Sequence, residues 1–443
     1  MTDRIGKGQD LIIVSFSFAP MLNPRAFRWA ALSEEFARRG VRVHVVCSWQ
    51  PGLAPREVLN GVEIHRVGNH FLERIRALLR RFRGSASGGG RDISIQKKGM
   101  FFGNAVGWIW RKLAWPDTTC VWYSAALREA KTLLAQSPNA TLVSVSPTFT
   151  AALVCGAMSR QVNEVRWILD LGDPFSLAVE SPPNNFWIYS ALNRCVERVL
   201  FRRSSAVTLT NANVKQRYTD LYSDCKKKFF VIPPLLSEMV AIRPIQRKRV
   251  AIPGDPARIV YVGALYQYLR RPEFLLRLFS RLSVRGVSRH LELHFVGDID
   301  ECVEAFAPYA NQIAQEIHLH GVVTREEAFS AIGDAVIVVN LGNRNKCQLP
   351  SKLIEYMALS KPILNILQTP EDPSLDLLER YRAKLTLFDS GADPSLEQIQ
   401  LTEQFIDQAI RGFSSAGEEV SLEHFKVNSI ANQYATLFFS DAV

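Results

Sequence analysis

Lys352 and Glu355 have the residue types and the spacing to bind an anionic ligand together. They lie three residues apart in a predicted short helix, residues 351–359, so both side chains share one helical face. An uncharged, mostly β-branched strand is predicted just before it at 335–341, and another strand follows at 363–367. A helix that starts beyond the carboxyl end of a parallel strand often binds phosphate, and Lys352 in its first turn is favourable when an anion is near. The alternative is a surface Lys and Glu on an ordinary helix.

The second half of the chain repeats a strand-then-helix pattern around this segment. Further strands are predicted at 258–262, 291–296, 317–320 and 383–388. A helix is predicted to begin near Pro272, and Thr324 with Glu327 forms a capping box at the start of another. Alternating strands and helices indicate a doubly wound, parallel α/β sheet.

The first half opens with the same pattern. Residues 11–15 and 41–47 are predicted strands, and the helix between them runs from about 25 to 39. The first loop lacks the glycine pattern of a classical dinucleotide site. It carries Asn23, followed by Arg25 and Arg28 at the positive end of the helix. Two arginines there are unfavourable unless an anion is near, so we expect an acceptor or phosphate site, or alternatively two solvated side chains.

Asp170 and Asp173 follow the predicted strand 165–169 in the sequence DLGDP. Carboxylates just beyond the carboxyl end of a strand can serve a catalytic site in an α/β fold. The alternative is a loop in which the aspartates cap turns.

The charge of the chain is unevenly distributed. The 443 residues carry a formal net charge of +10, and residues 1–238 hold 32 Lys and Arg against 18 Asp and Glu, a net +14. The remainder is slightly acidic. A basic half indicates an anionic partner such as a membrane, nucleic acid or a charged substrate. The seven cysteines show no metal-binding spacing, the N-terminus has no secretory pattern and no apolar run is long enough to span a bilayer, so we expect a cytoplasmic protein.

The segment 71–115 is the most basic and aromatic part of the chain. It contains a Gly- and Ser-rich tract, and Trp108, Trp110 and Trp115 lie beside Arg111 and Lys112. Aromatic side chains with basic neighbours are typical of segments that lie on anionic membranes. Stacking on single-stranded nucleic acid and an ordinary packed loop are the alternatives. We expect a membrane-surface segment and no nucleic-acid partner.

Four segments resemble the GT-B glycosyltransferases of the large retaining group 1 family, which includes bacterial polysaccharide and lipopolysaccharide sugar transferases. They are PSKLIEYMALSKPILNI (350–366), YVGALYQYLRRPEFLL (261–276), NPRAFRWAALSEEFARRGVRVHVV (23–46) and WILDLGDPFS (167–176). The resemblance covers most of the chain. It implies two Rossmann-like domains that face a cleft, with a C-terminal helix that crosses back to the first domain.

The resemblance also implies the roles of individual residues. Glu355 would bind the ribose hydroxyls, and Lys352 with Arg270, or alternatively Arg271, would hold the diphosphate. Asp170 and Asp173 would lie on the acceptor side. The other expected donor-binding residues are Gly263, Gly297, Asp298, Gly321, Val322, Cys347, Gln348 and Ser351.

Two positions depart from the family pattern. Cys347 stands eight residues before Glu355, where many members carry a sugar-binding Glu. Residues 145–148 also lack the histidine that the family has after a strand in the middle of its first domain. Because retaining transfer in this group is described as front-side attack without an enzyme nucleophile, neither change excludes activity.

The expected function is therefore a retaining, metal-independent transfer of a sugar from a nucleoside-diphosphate sugar to a saccharide or lipid-linked acceptor, without a cofactor. The alternatives are a GT-B sugar-nucleotide epimerase and a non-catalytic GT-B scaffold. We expect an acceptor domain over 1–240, a linker over 241–257, a donor domain over 258–424 and a returning helix over 425–443. We expect the protein to associate peripherally with the inner face of the cytoplasmic membrane.

Overall fold

The fold is described here from a computed structural model of the chain. The described residues are 8–21, 23–68, 110, 112–161, 165–179, 182–237, 256–285, 290–313, 315–413 and 421–439. Most of the segment 71–115 and of the predicted linker 241–257 lies outside them. The chain forms two compact units, Met1–Pro233 with Val427–Val443, and Pro234–Lys426, which we call unit 1 and unit 2.

Unit 1 contains a sheet of eight strands. They are β1 (Asp10–Ser15), β2 (Arg42–Ser48), β3 (Arg56–Leu59), β4 (Val62–Val67), β5 (Thr141–Ser146), β6 (Trp167–Leu171), β7 (Ala206–Leu209) and β8 (Phe229–Val231). Their order is β3-β4-β2-β1-β5-β6-β7-β8. All neighbouring strands are parallel except β3, which forms an antiparallel hairpin with β4. The central strands are mostly apolar and are buried on both faces, as expected of a parallel sheet between helices.

Six described α-helices belong to unit 1, in addition to the 3-10 helices Cys120–Trp122 and Ser223–Lys228. They are α1 (Pro24–Arg38), α2 (Tyr123–Gln136), α3 (Phe149–Met158), α4 (Phe186–Arg203), α5 (Ala212–Leu221) and, from the end of the chain, α11 (Val427–Phe439). Helix α11 packs on α1, where Trp29 stacks at a tilt on Tyr434 and Phe36 on Phe438, with ring centroids 5.2 and 5.3 Å apart. These four aromatic side chains are fully buried, so the last helix completes the core of unit 1.

Unit 2 contains a parallel sheet of six strands. They are β9 (Ala257–Val262), β10 (Leu291–Val296), β11 (Ile317–Gly321), β12 (Ile337–Leu341), β13 (Ile363–Leu367) and β14 (Lys384–Phe388). The order is β11-β10-β9-β12-β13-β14, so the sheet is doubly wound from β9. The described α-helices of unit 2 are α6 (Glu273–Arg285), α7 (Arg325–Asp334), α8 (Lys352–Ala358), α9 (Ser374–Leu378) and α10 (Leu396–Arg411), and 3-10 helices lie at Asp300–Tyr309 and Glu423–Phe425.

The predicted fold class is confirmed, because each unit is a parallel α/β sheet with helices on both faces. The capping box of Thr324 and Glu327 is also present at the start of α7. The strand β3 was not predicted, because its residues REVL include two charges and lack an alternating pattern. Among the described helices, none is long and apolar enough to cross a membrane.

Candidate functional site

Three glycines end the neighbouring strands β9, β10 and β11 of unit 2 and lie side by side. The N–H of Gly263 donates to the carbonyl of Val296 at 2.9 Å, and the N–H of Gly297 donates to the carbonyl of Gly321 at 2.8 Å. Gly297 has a φ of 137°, and a Cβ there would overlap the carbonyl oxygen of Gly263. Only glycine permits this approach, and it leaves bare backbone at the carboxyl end of the sheet.

Asp298 and Val322, which follow two of these strand ends, differ from the glycines in their environment. Both are exposed, and Asp298 Oδ1 accepts a hydrogen bond from the N–H of Asp300 at 2.9 Å. Asp298 therefore caps the turn that follows β10. The side chain of Val322 is open to solvent and offers an apolar surface beside Gly321.

The structure separates the two arginines that follow Gly263. Arg270 donates from Nε and Nη2 to Asn343 Oδ1 at 3.1 and 2.8 Å, and its Nη1 lies 3.5 Å from the hydroxyl of Tyr261. Arg271 is exposed and pairs with Glu273 in the first turn of α6. Arg270 is therefore the arginine whose side chain is fixed at the strand ends, whereas Arg271 lies on the surface.

Cys347 and Gln348 belong to a loop, residues 342–350, that is held together by side-chain amides. Gln348 Oε1 accepts from Asn343 Nδ2 at 3.3 Å and from Asn345 Nδ2 at 2.9 Å. Asn345 Oδ1 accepts in turn from the backbone N–H groups of Cys347 and Gln348. Cys347 is buried within this loop and carries no carboxylate.

Lys352 begins helix α8 and reaches back to strand β9. Its Nζ donates to the carbonyl of Val262 at 2.8 Å. Burial lowers the pKa of Lys352 to about 8; the nearby charge of Glu355 opposes this shift, and the charges of Arg270 and Arg325 add to it. Ser351, just before the helix, makes no side-chain capping hydrogen bond. The buried ammonium group therefore has two arginines and one carboxylate near it, an arrangement that an anionic ligand would stabilise.

Glu355 lies on the same helix and faces α7. Its Oε1 is 3.6 Å from Nη2 of Arg325, which also donates to Ser237 Oγ at 2.6 Å. Burial raises the pKa of Glu355, and the charges of Arg325 and Lys352 partly oppose this shift. Arg325 was missed in the sequence analysis, although it is the first residue after the capping threonine of α7.

Asp372 is a second residue that the sequence analysis missed. It is 2% exposed, its Oδ1 accepts from the N–H of Ser374 at 2.8 Å, and its Oδ2 has no hydrogen-bond partner among the described residues. A Cβ on Gly342 would lie 2.9 Å from Oδ2, so the carboxylate borders the amide loop. Burial raises the pKa of Asp372, against a smaller opposing effect of Ser374 and Arg270.

The residues predicted on the acceptor side, in unit 1, have mainly structural contacts. Asp170 lies inside strand β6 and not beyond its end, and is 3% exposed. Its two oxygens accept hydrogen bonds from Arg25, Trp29, Thr208 and Tyr434, at 3.2, 2.8, 2.7 and 2.7 Å. A carboxylate with four donors and almost no exposure anchors α1 and α11 to strands β6 and β7 of the sheet. The prediction that Asp170 is a catalytic carboxylate is therefore corrected.

Arg28 and Asn23 need the same correction. Arg28 is buried and donates to the carbonyl of Pro233 at 2.7 Å and to the hydroxyl of Tyr434 at 3.2 Å, so it neither points into solvent nor waits for an anion. The side chain of Asn23 caps α1 by accepting from the N–H of Arg25 at 2.8 Å. The helix dipole predicts an anion near Arg28. The groups that compensate its charge are instead a carbonyl and a hydroxyl from distant parts of the chain.

Arg25 and Asp173 remain near the end of β6. Arg25 pairs with Asp170, and its guanidinium fills the space where a side chain at position 172 would stand. Asp173 is half-buried in the loop that follows. Gly172 is thus required for the close approach of Arg25, which accounts for the glycine in DLGDP.

Comparison with known proteins relates both the sequence of unit 2 and the fold of the chain to glycosyltransferases. Residues 256–369 match a family model described as glycosyl transferases group 1. This range includes Arg270, Lys352 and Glu355, whereas Asp372 lies just beyond it. The chain has the GT-B fold, as its similarity to solved GT-B structures over almost its full length shows. No curated protein matched the sequence.

Three solved structures illustrate the similarity. TarM superposes with a TM-score of 0.62 over 98% of this chain and 99% of that chain, at 11% identity. Starch synthase IV from Arabidopsis thaliana, bound to ADP and acarbose, gives 0.58 over 98% and 99%, also at 11% identity. HepE from Anabaena, in complex with UDP and glucose, gives 0.54 over 97% and 95%, again at 11% identity. At this identity the comparison defines the fold.

Proposed function

We propose that the protein is a glycosyltransferase that uses a nucleoside-diphosphate sugar as donor and binds it in unit 2. The observation that carries this proposal is the arrangement of Arg270 and Lys352 at the carboxyl end of β9, beside the bare backbone of Gly263 and Gly297. Two cations with accessible backbone suit a diphosphate, whose charge increases as it leaves the sugar. The group 1 domain and the UDP and ADP complexes of similar structures support this proposal.

In this proposal the residues of unit 2 act on different parts of the donor. The bond between the anomeric carbon and the diphosphate oxygen breaks, the nucleoside diphosphate leaves with the electron pair, and an acceptor hydroxyl attacks and loses its proton. Lys352 and Arg270 stabilise the negative charge on the leaving group. Glu355, positioned by Arg325, accepts hydrogen bonds from the ribose hydroxyls, and backbone at Gly297 and Gly321 lines the base.

The donor sugar would not be bound by the glutamate that many members of the group 1 family carry, because Cys347 stands at that position. Cys347 has no carboxylate, but Asp372 presents an oxygen without a partner among the described residues, at the border of the same loop. A buried acceptor of this kind gains when a sugar hydroxyl donates to it. We therefore assign Asp372 to recognition of the donor sugar, with Asn345 and Gln348 shaping the loop.

We propose transfer with retention of the anomeric configuration, without a metal ion or cofactor in the transfer step, to a saccharide or lipid-linked acceptor of the cell envelope. The positive charge of residues 1–238 supports an anionic acceptor or an anionic membrane surface. Flotation with anionic vesicles, with and without residues 71–115, tests the membrane contact, and equal flotation of both forms would refute it.

The central test is a binding and turnover screen with the full chain. Thermal shift against UDP-, GDP- and ADP-sugars should identify one donor that raises the melting temperature, because a ligand of the native state stabilises it by mass action. That donor should be turned over with a saccharide acceptor in excess chelator, and the configuration of the product should match the donor. Lys352→Ala should lose the shift.

The outcomes separate the proposal from its alternatives. A donor that binds but is converted into its epimer without an acceptor identifies an epimerase. Binding of no nucleotide or nucleotide sugar, or an unchanged shift in Lys352→Ala, contradicts the proposal and favours a non-catalytic scaffold. Turnover that is abolished by chelator contradicts only the metal-independent step.

A further inference from the structure

A cluster of two histidines and a glutamate lies on the sheet of unit 1, and none of its residues has been assigned a function above. His44 is on β2, and Glu63 and His65 are on the neighbouring parallel strand β4. In the register of this pair, His44 faces Glu63 directly and Val46 faces His65. Because side chains alternate along a strand, all three point from the same face of the sheet.

The three side chains are close enough to share one ligand. One nitrogen of each histidine and one oxygen of Glu63 lie within 4.8 Å of one another, and His44 Nδ1 is 3.2 Å from Glu63 Oε2. A tetrahedral zinc site with bonds of about 2.0–2.1 Å places its ligand atoms roughly 3.3 Å apart. His44 Nδ1 and Glu63 Oε2 already meet this spacing. The nitrogen of His65 reaches it after a small rotation of a side chain.

His65 is already oriented as a metal-binding histidine is. Its Nδ1 lies 2.9 Å from Oε1 of Glu129 on α2, and Glu129 also accepts from Arg56 at 2.8 Å. A carboxylate on one ring nitrogen fixes the ring and leaves a lone pair on the other, which is how such partners support metal-bound histidines. The remaining nitrogen, Nε2, is buried and has no hydrogen-bond partner among the described residues.

His44 shows the same deficit. Its Nδ1 is buried, and within the described parts of the chain it makes no hydrogen bond of acceptable geometry, although Glu63 is close. Two buried imidazole nitrogens without partners in one cluster are costly unless a further group satisfies both. A metal ion does so, since it accepts two nitrogen lone pairs and a carboxylate oxygen together.

We propose that His44, Glu63 and His65 bind one divalent transition-metal ion, zinc in the first instance, with Glu129 as the group that orients His65. Two imidazoles and one carboxylate form a donor set that suits zinc better than magnesium or calcium. Glu63 is half-exposed and leaves room for water as a fourth ligand. The ion would join β4 to β2 and, through Glu129, to α2. This role is separate from the proposed donor site in unit 2.

A second group, Glu292, His294 and His318 in unit 2, provides an internal comparison. There His318 Nε2 also has no hydrogen-bond partner among the described residues, but both nitrogens of His294 are engaged, with Glu292 at 3.0 Å and His320 at 2.9 Å. Arg258 lies 3.4 Å from the same carboxylate and would compete with a cation. The group in unit 2 is therefore the weaker ligand set, and it serves as the matched control.

The test is a zinc titration of the full chain, purified without a polyhistidine tag and stripped with chelator, in competition with a chromogenic chelator. We expect one tight site per chain and a melting temperature that rises with zinc. His44→Gln with His65→Gln should remove the tight site and the rise. His294→Gln with His318→Gln should keep both. Glu129→Gln should weaken binding about 10–100-fold, which a purely structural glutamate would not do.

Three results overturn the proposal: no tight site in the wild-type chain, unchanged affinity in the His44 and His65 double variant, or loss of the site in the His294 and His318 control. If the double variant does not fold, Glu63→Gln, at a half-exposed position, replaces it and must weaken zinc binding at least tenfold. Nucleotide binding is measured on the same samples. Its absence with zinc binding retained contradicts the proposed function alone.

Discussion

The ammonium group of Lys352 donates a hydrogen bond of 2.8 Å to the carbonyl oxygen of Val262, the last residue of strand β9. The first residue of helix α8 is thus tied to the strand that ends at Gly263. The contact fixes a cation beside the bare backbone where Gly263 and Gly297 approach each other. The folded protein bears the electrostatic cost of this arrangement, and a diphosphate would relieve it.

Lys352→Met is expected to stabilise the protein and to abolish nucleotide binding. Burial lowers the pKa of Lys352 to about 8, so the charged side chain is less stable in the folded than in the unfolded state below that pH. Stability of the wild type should rise between pH 8 and about 10.5, as the folded state loses the proton first. At pH 7 the variant should gain about 1–3 kcal/mol, reduced by the lost hydrogen bond and by partial exposure. Chemical denaturation at pH 7 and 9.5 measures this.

Lys361→Met is the matched control. Burial lowers the pKa of Lys361 to about 8 as well, and this side chain donates to the carbonyls of Gly333 and Ala335. Its stability should show the same dependence on pH, whereas nucleotide affinity should be unchanged. Equal loss of affinity in both variants would contradict a specific role of Lys352.

Binding of a nucleoside diphosphate should weaken as the pH rises through about 8. Lys352 of the free protein loses its positive charge in that range, because burial lowers its pKa. Above pH 8 the affinity should fall by up to tenfold per pH unit, since the ligand must then return the proton to the lysine. Lys352→Arg keeps its charge and should flatten the profile. Calorimetry between pH 7 and 9.5 distinguishes the two, and parallel profiles would count against the assignment.

Arg270→Ala should reduce affinity for nucleoside diphosphates by about 10–100-fold, which corresponds to the 1.5–3 kcal/mol typical of hydrogen bonds to charged groups. Arg271→Ala removes the neighbouring arginine, which pairs with Glu273 on the surface, and should change affinity less than about twofold by the usual weakness of exposed ion pairs. Titration calorimetry of both variants measures the difference. The reverse order would transfer the role to Arg271.

Asp372→Asn should discriminate between a nucleotide and its sugar conjugate. If Oδ2 accepts from a sugar hydroxyl, affinity for the donor should fall about tenfold, or 1.4 kcal/mol, while affinity for the free nucleoside diphosphate stays constant. Asp376→Asn, at an exposed position in the first turn of α9, is the control. Equal losses for both ligands would show that Asp372 only supports the loop.

Asp170→Asn should destabilise unit 1 by about 3–5 kcal/mol, because it breaks a buried ion pair and disturbs four hydrogen bonds. Burial opposes ionisation, but the charges of Arg25 and Arg28 and the hydrogen bonds of Tyr434 and Thr208 outweigh it and lower the pKa of Asp170. Its stabilisation is thus complete above about pH 4 and is lost as the pH falls through the lowered pKa. Chemical denaturation of Asp170→Asn beside Asp173→Asn measures it. Similar stability of the two variants contradicts the anchoring role.

The residues of the candidate site divide into those that local pattern reveals and those that only the fold brings together. Lys352 and Glu355 were found because a three-residue spacing on a helix places both on one face. Asn343 and Asp372 were not predicted, because they are 29 residues apart on different loops and neither local sequence indicates a contact with the other loop. The misassignment of Asp170 came from placing the end of β6 two residues too early.

The helix dipole did not predict the partners of Arg28 in unit 1, because they too are distant in the sequence. The position of Arg28 at the start of α1 predicts a nearby anion, but its partners are the carbonyl of Pro233 and the hydroxyl of Tyr434, the latter 406 residues further along the chain. Local electrostatics predicts an unsatisfied cation correctly and cannot predict which remote group satisfies it. The doubly wound α/β class, in contrast, was predicted from the repeated strand and helix pattern.

Helix α11 has a consequence for how the protein forms during synthesis. Its tyrosine, Tyr434, hydrogen-bonds to Asp170, and its aromatic side chains close the core on α1. All of unit 2 is translated between the two parts of unit 1. On the ribosome, unit 2 can therefore complete its fold first. Asp170 and Arg28 lack their hydrogen bonds to Tyr434 until the last helix has been synthesised. Nascent chains stalled before residue 427 should then hold unit 1 in a protease-sensitive state.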